Sequence, residues 1–587
     1  MTGHPAVAEP LPTRSDASIA MGWLKALSLP LLLLWTPFII FLTDNQYSLF
    51  APEVLVGLGG LTVLAGLVAF LRMMKQPLWY AMAIAGLLTV FIDFQFEWMV
   101  GADKYVALGL VVVATVLVVK WQEAVTLMMT AVFATILGTT VVQSSLQSPV
   151  TRHLVPDAAS AASNAPPRLI HLVLDEHIGI AGLPTHFELG RTVKDCLLRF
   201  YQRHGFLVYG GAYSHYFRTF DSIPNLVNFS TESKQRALVI GKKPPYTLIK
   251  NRYFEILSQR QYQLNVLGAG LIDFCSDETV ALQTCRQYKY SALGSLGNQH
   301  DSLSLKVPAI FATYLTKYHR YQRLLSAYQD LIQPSLASKG ILLPTLPSDS
   351  LWTTGRLRPI SANGMALIED LWDNILKLPR GHALFAHVML PHYPYIYRAD
   401  CTARPINDWR NNLGSVPTES RTGDLREELY GLYLQQVQCL YTKLDVLFNR
   451  MRAAGMWEDS IIIIHGDHGS RLGLHDPDID PFNVLTESDY SDAFSTLFAV
   501  KLPGKQAGFD PSPRALEELL AEVLAIPLKT APAGSSKPSE PFVYFSAENR
   551  KDLFVRYPLP GHIGSRVIVR LDRNQEGQQH AHDLPHL

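Results

Sequence analysis

Apolar residues are concentrated in the first quarter of this 587-residue chain, and that asymmetry constrains its folding more than any motif. Long apolar runs occupy about 26–42, 54–71, 78–92, 105–119 and 124–142. Several approach the roughly 20 residues needed to cross a bilayer. The shorter run at 105–119 is flanked by Tyr105 and Trp121, aromatics suited to the two interfaces. The pattern predicts about five transmembrane helices within residues 1–148. Residues 149–168, rich in Ser, Ala and Pro, form a linker, and a water-soluble domain fills 169–587. The chain holds 51 Lys+Arg and 51 Asp+Glu, so it carries no basic footprint for nucleic acid.

In the soluble part, apolar runs alternate with helical periodicity, which predicts βαβ units and a central, mostly parallel sheet. The clearest run is Ile461-Ile462-Ile463-Ile464-His465-Gly466-Asp467-His468-Gly469. Four β-branched residues in a row read as a strand buried on both faces. In open α/β sheets the chemistry sits beyond the carboxyl ends of the strands, which places Asp467 and His468 where a metal centre is built. A second run, Leu169 to Leu174, ends in Asp175-Glu176. A third, Ala383 to Leu390, ends in Pro391-His392-Tyr393-Pro394, where the prolines forbid helix and hold His392 on a stiff loop. His387, inside that strand, reads as packed.

Further strands are expected at 206–209, 262–267, 492–500 and 541–545, and helices at 191–203 and 425–454. Val307–Ile332 has roughly helical spacing, fitting a core-packing helix or one resting on the bilayer surface. In Thr219-Phe220-Asp221-Ser222-Ile223-Pro224, Ser222 suits a helix N-cap with Pro224 in the first turn, which leaves Thr219 upstream without a structural role. Of the five cysteines, Cys275 and Cys285 are the best pair and Cys401 with Cys439 the next, if the domain lies outside the cytoplasm.

Together these motifs resemble the alkaline phosphatase/sulfatase superfamily. More narrowly they resemble its membrane-anchored branch, the lipid A phosphoethanolamine transferases and lipoteichoic acid synthases. Three motifs carry the resemblance: the acidic strand end Asp175-Glu176, the Thr219-x-x-Ser222-Ile223-Pro224 segment, and Asp467-His468-Gly469 after its strand. The resemblance implies an α-helical transmembrane bundle joined to an alkaline-phosphatase-like α/β domain. It makes Thr219 the nucleophile and Asp175, Glu176, Thr219, Asp467 and His468 the ligands of a divalent metal, zinc or alternatively manganese. His392 resembles the family's substrate-side histidine, and Arg471 and His475 follow the Asp-His pair as substrate-binding candidates. The implied partners are a membrane phospholipid donor and an envelope glycan or lipid acceptor. The implied reaction is transfer of phosphoethanolamine through a phosphothreonine, with phosphoglycerol transfer or ester hydrolysis as alternatives.

The chain departs from its relatives in three places. No Cys/Ser-x-Pro-x-Arg motif of the strict sulfatases is present, Asn225 follows Pro224 where the phosphoethanolamine transferases commonly have Cys, and Asp175 stands where they have glutamate. A non-enzymatic scaffold on this fold predicts a missing ligand type, and none is missing.

Basic residues fix the expected orientation. Lys25, Arg72, Lys75 and Lys120 fall on one side of the predicted spans, whereas Asp44, Glu53, Asp93, Glu97 and Asp103 fall on the other. Basic residues stay in the cytoplasm, so an odd number of spans delivers the second domain outside a bacterial inner membrane. A periplasm-dependent reporter fused at the C-terminus is expected to be active. Activity from a cytoplasm-dependent reporter alone would reverse the orientation.

Overall fold

The computed structural model describes residues 14–45, 47–96, 104–146, 151–153, 165–230, 238–239, 246–276, 279–288, 302–316, 360–477, 484–526, 541–547, 550–559 and 567–570. The expected linker for the most part, residues 317–359 and the C-terminal residues 571–587, with the histidines of 580–586, lie outside them. The chain divides into two compact units, Met1–Ser148 with Ser302–Leu357, and Pro149–Asp301 with Arg358–Leu587. The described residues 302–316, read from sequence as part of the second domain, cluster with the first.

The first unit contains α1 (Arg14–Asp44), α2 (Pro52–Met73), α3 (Pro77–Phe96), α4 (Lys104–Lys120) and α5 (Gln122–Leu146). Ile19–Asp44, Pro52–Met73 and Gln122–Gln143 are long and apolar enough to cross a membrane, and Pro77–Thr89 and Gly109–Lys120 are shorter apolar helices.

The second unit is built on a nine-stranded sheet. Its strands are β1 (Thr151–His153), β2 (Arg168–Leu174), β3 (Leu207–Tyr209), β4 (Gln263–Gly268), β5 (Leu282–Gln287), β6 (His382–Val388), β7 (Ser460–Gly466), β8 (Phe498–Lys501) and β9 (Gly508–Asp510). They run in the order β1-β5-β4-β6-β2-β7-β8-β3-β9. β5, β4, β6, β2 and β7 pair in parallel, whereas β8 is antiparallel to both its neighbours and β1 is antiparallel to β5. The central strands are buried along nearly their whole length, which is why they read as unbroken apolar runs rather than alternating ones.

Helices α6 (Glu188–Arg203), α7 (Thr219–Val227), α8 (Arg252–Gln259), α9 (Leu303–Thr316), α10 (Ile360–Leu376), α11 (Gly423–Ala453), α12 (Glu487–Phe494) and α13 (Leu516–Val523) follow in chain order. Of these, α9 belongs to the first unit, where it packs on α2. Phe311 stacks on Phe38 at 5.2 Å, and Tyr314 meets Phe38 and Phe41 edge-on. The described part of the expected 307–332 helix thus lies among the N-terminal helices rather than in the core of the second unit. Lys306, inside this packing, keeps its ammonium 3.8 Å from Glu53, which also accepts the Tyr47 hydroxyl at 2.6 Å.

One local expectation is corrected. The 492–500 segment is not one strand: α12 runs to Phe494 and β8 begins at Phe498. The helix takes the acidic half because Thr486 and Asp489 form a capping box at its start. The 206–209, 262–267 and 541–545 strands and the 191–203 and 425–454 helices form within a few residues of their expected limits. Cys275–Cys285 and Cys401–Cys439 are disulfides, and Cys196 is free and exposed.

The apolar faces of α7, α8 and α13 meet one face of the sheet in a single core that includes Ile223, Leu226, Tyr253, Leu257, Leu516 and Leu520. Glu517 follows Leu516 in α13. It is buried, with one carboxylate oxygen lacking a hydrogen-bond partner and His215 3.9 Å away. Burial pushes its carboxyl up from 4.5 to about 8. Between those values the folded chain holds a proton that the unfolded chain has lost, so stability falls as pH rises through this window. Glu517→Gln is expected to match wild type in thermal midpoint near pH 5 and to exceed it increasingly toward pH 8. Parallel profiles across that range would contradict the burial argument.

Candidate active site

The register of the three central parallel strands builds the site. Leu174 ends β2 opposite Val388 of β6 and Gly466 of β7. The residues that follow, Asp175 and Asp467, therefore emerge side by side at the carboxyl edge. Asp175 N–H donates to Val388 O at 2.9 Å. Glu176 N–H donates to Asp467 Oδ1 at 3.0 Å, and His468 N–H donates to the same oxygen at 3.0 Å. Glu176 adopts a left-handed backbone, φ 62°, to turn the chain away from the sheet there. Gly466 is required at the β7 end because a Cβ would strike His177 O and Thr496 Oγ1.

Thr219 opens α7, and Arg218 rather than Ser222 occupies the N-cap position. This corrects the expected cap. Ser222 lies within the helix and donates its hydroxyl to Asp467 O at 2.6 Å, with Ser214 Oγ 3.0 Å away. Its role is to tie the first turn of α7 to the β7 loop. Thr219 Oγ1 lies 3.3 Å from Asp175 Oδ2 and 3.2 Å from His468 Nε2. His468 spends Nδ1–H on Gly469 O at 2.9 Å, which turns Nε2 toward the threonine and toward Asp467 Oδ2, 3.3 Å away.

His392 is held the same way. Its Nδ1–H donates to Tyr393 O, and its Nε2 faces Glu176 Oε1 at 3.8 Å. The flanking Leu390–Pro391 and Tyr393–Pro394 peptides are both cis. Arg471 brings its guanidinium 3.6 Å from Glu176 Oε1. His475 is not joined to this cluster by any hydrogen bond or ion pair; its ring and its backbone N–H bond to Asp489 at 3.0 and 3.2 Å.

Ligand atoms of Asp175, Asp467 and His468 lie within 4.8 Å of one another, as do those of Asp175, Glu176 and His392. All are buried. Asp175 Oδ1, Glu176 Oε2 and Asp467 Oδ2 have no hydrogen-bond partner. Three orphaned carboxylate oxygens in one buried cluster are costly without a cation to meet them. The titration behaviour follows from that crowding. Burial opposes the charge on Asp175, but the hydrogen bond from His387 and the nearby imidazoles outweigh it and hold its carboxyl at about 2. Burial and the Asp175 charge push Asp467 up. Burial, only partly offset by Arg471, pushes Glu176 well up. Hard carboxylate oxygens with one imidazole nitrogen suit zinc or manganese.

The sequence did not single out three contributors. His387 Nε2–H donates to Asp175 Oδ2 at 3.0 Å from inside β6, where strand periodicity marks it only as buried. Asn412 Nδ2 donates to Glu176 Oε1 at 3.3 Å from an aperiodic loop. Tyr433 of α11 donates its hydroxyl to Glu176 O at 2.9 Å and accepts Ile178 N–H at 3.0 Å. A polar residue inside an otherwise unbroken apolar strand is the one signal that marks His387.

No family model matches the chain. A stretch of 94 residues is 26% identical to a lipoteichoic acid synthase of Staphylococcus saprophyticus, covering 16% of this chain and 15% of that relative's length. Among solved structures, the chain is similar to the C-terminal periplasmic domain of EcEptC from Escherichia coli in complex with Zn. That likeness covers 69% of this chain and 96% of that one, with a TM-score of 0.36 and 12% identity. It is also similar to a protein in the alkaline phosphatase superfamily from Vibrio parahaemolyticus, over 72% of this chain and 83% of that one, with a TM-score of 0.35 and 10% identity.

Ser222→Ala tests the corrected role. Loss of the bond to Asp467 O is expected to cost about 1 kcal/mol of stability while sparing Thr219. Thermal unfolding of the purified variant reads the cost, and a midpoint equal to wild type would remove Ser222 from the support of the β7 loop.

Proposed function

We propose that this chain is a membrane-anchored, metal-dependent enzyme that transfers a phospholipid-derived phospho-group, phosphoethanolamine, to an envelope glycan or lipid through a phosphothreonine at Thr219. The observation that carries the reading is the convergence of Thr219 Oγ1 on Asp175 and His468 beside unpartnered carboxylate oxygens. Asp175, Asp467, His468 and Thr219, with Glu176 adjoining, would hold the divalent cation. When bound, the cation supplies positive charge that lowers the pKa of a hydroxyl and offsets charge on phosphoryl oxygens. The apolar helices of the first unit support this reading, because a lipid donor is met in the bilayer.

In the first half-reaction Thr219 Oγ1 loses its proton and attacks the phosphorus of the donor phosphodiester. The bond between phosphorus and the glycerol oxygen breaks, and that oxygen takes up the proton that Thr219 gave and leaves as diacylglycerol. In the second half an acceptor hydroxyl attacks the phosphothreonine and restores Thr219. His392 Nε2, unprotonated because Nδ1 holds the ring's proton against Tyr393 O, is the group that takes the acceptor's proton. Burial lowers His392 to about 4, which keeps it a base at neutral pH. Arg471, beside Glu176, is the cation available to a phosphate oxygen. His475, fixed on Asp489, has no part in these steps.

Intact-mass measurement of the full chain incubated with phospholipids tests the reading. Wild type is expected to gain one phosphoethanolamine on Thr219, and a phosphoglycerol mass would instead assign the other head group. Thr219→Ala is expected to fold and form no adduct, with turnover reduced at least 1,000-fold, on the order seen when a nucleophile is removed. Asp467→Ala and His468→Ala are expected to lose bound metal and turnover together. An adduct persisting in Thr219→Ala would refute the nucleophile, and full metal content in both ligand variants would refute the metal assignment.

A further inference from the structure

Beneath the site, two histidines face each other inside the apolar centre of the sheet. His171 of β2 and His465 of β7 lie on adjacent strands, fully buried, with Nε2 to Nε2 2.7 Å. His171 Nδ1 lies 2.8 Å from the Tyr253 hydroxyl of α8. His465 Nδ1 lies 2.7 Å from Gly466 O. Aromatic rings wall the pair in: Phe385 and Tyr253 meet His171 edge-on at 5.2 and 5.1 Å, and Phe498 stacks on His465 at 5.8 Å.

The chemistry of the last acceptor fixes every proton in this chain. A carbonyl only accepts, so His465 carries its proton on Nδ1 and leaves Nε2 as an acceptor. His171 must then donate through Nε2–H, and its Nδ1 accepts from the Tyr253 hydroxyl. The hydrogen bonds run one way, from Tyr253 through His171 and His465 to the carbonyl of Gly466, and use every ring nitrogen.

Apolar side chains would fill this space with less desolvation cost, as Ile462, Ile463 and Ile464 do beside it. The array ends on the residue before Asp467. Gly466 is held on its other side by its own N–H, which donates to Leu497 O at 3.0 Å. With both of its peptide groups held, the direction in which Asp467 and His468 leave the strand is set.

We infer that His465, locked in one tautomer by His171 and Tyr253, is a positioning residue that orients the Gly466–Asp467–His468 turn for cation binding and phospho-group transfer. The inference rests on the proposed metal-dependent reading of the site. Outer-shell partners of this kind typically contribute 10–100-fold to metal affinity or activity.

The experiment separates positioning from simple stability. In His171→Leu the His465–Gly466 bond survives, but His465 Nε2 is left buried without a donor, so this single variant should be the less stable. In the double variant His171→Leu/His465→Leu both imidazoles are gone and no ring nitrogen is orphaned. The Tyr253 hydroxyl and Gly466 O lose their imidazole partners there, so its thermal midpoint should lie below wild type but above that of His171→Leu. If the pair only stabilised the fold, function would follow the midpoint and the double variant would be the better enzyme.

Positioning predicts the reverse order. Zinc affinity of the full-length protein in detergent, measured by competition with a chromogenic chelator, should fall about tenfold or more in the double variant and less in His171→Leu. The adduct-forming rate should fall in the same order. A double variant within twofold of wild type in both measurements overturns the inference. So does a His171→Leu variant weaker in both than the double. Wild-type protein that binds no zinc and forms no adduct would instead refute the proposed function, so the two failures are distinguishable.

Discussion

The site depends on the parallel pairing of β2 with β7. Gly466 lies opposite Leu174, so Asp467 and Asp175 leave the sheet at the same level. Side chains alternate between faces with a period of two, and a slip of one residue would send the apolar and polar members of both strands to the wrong sides. Four consecutive isoleucines do not specify register by alternation, since both faces of the sheet are covered. Register is fixed at the ends instead. Arg168, opposite Ser460, places its guanidinium on Asp459 at 2.9 Å at the amino end, and Glu176 N–H reaches Asp467 Oδ1 at the carboxyl end. The second of these contacts belongs to the site itself, so the order of the sheet and the geometry of the carboxylates are one constraint.

A repeated local device prepares the histidines. His177, His392, His465 and His468 each donate Nδ1–H to the carbonyl of the next residue. The bond fixes the tautomer and turns Nε2 outward as an acceptor. What Nε2 meets then decides the role: the Tyr441 hydroxyl for His177, His171 for His465, Thr219 for His468, and the open side of Glu176 for His392. The chemistry of each histidine is set by its tertiary neighbour, which its flanking sequence does not specify.

That division explains what could be read in advance. The gathering of Asp175, Glu176, Asp467, His468 and His392 at one edge of the sheet was legible because buried parallel strands appear as uninterrupted apolar runs and their ends are where side chains become available. Thr219 was legible because Ser222 and Pro224 had a structural explanation and Thr219 had none. The explanation given for Ser222 was wrong in its partner. A hydroxyl early in a helix caps its own N-terminus by default, whereas here it donates to a carbonyl 245 residues away. His387, Asn412 and Tyr433 were not legible because each acts on a carboxylate or a backbone group far off in sequence. His475 was drawn in by its closeness to Asp467 in the chain, and Asp489 claims it. Composition set the expected boundary at residue 148, and the packing of residues 303–316 on α2 was not legible. A short helix carrying Lys306 does not advertise that its ammonium is met by a glutamate some 250 residues earlier.

The energetics of the cluster point the same way as its geometry. Asp175, Glu176 and Asp467 are all removed from water and crowd one another, and each leaves an oxygen unpaired. Like charges at such distances raise one another's pKa, and Asp467 and Glu176 are raised accordingly. An isolated fold would relieve this by replacing one acid with an amide or an alcohol. Instead the surrounding elements hold the acids in place, with His387 on Asp175, Asn412 and Arg471 on Glu176, and Glu176 N–H on Asp467. Each of these contacts donates to one oxygen and leaves the other free. A divalent cation would meet the free oxygens of Asp175, Glu176 and Asp467, and the proposed phospho-group transfer would draw on the same arrangement.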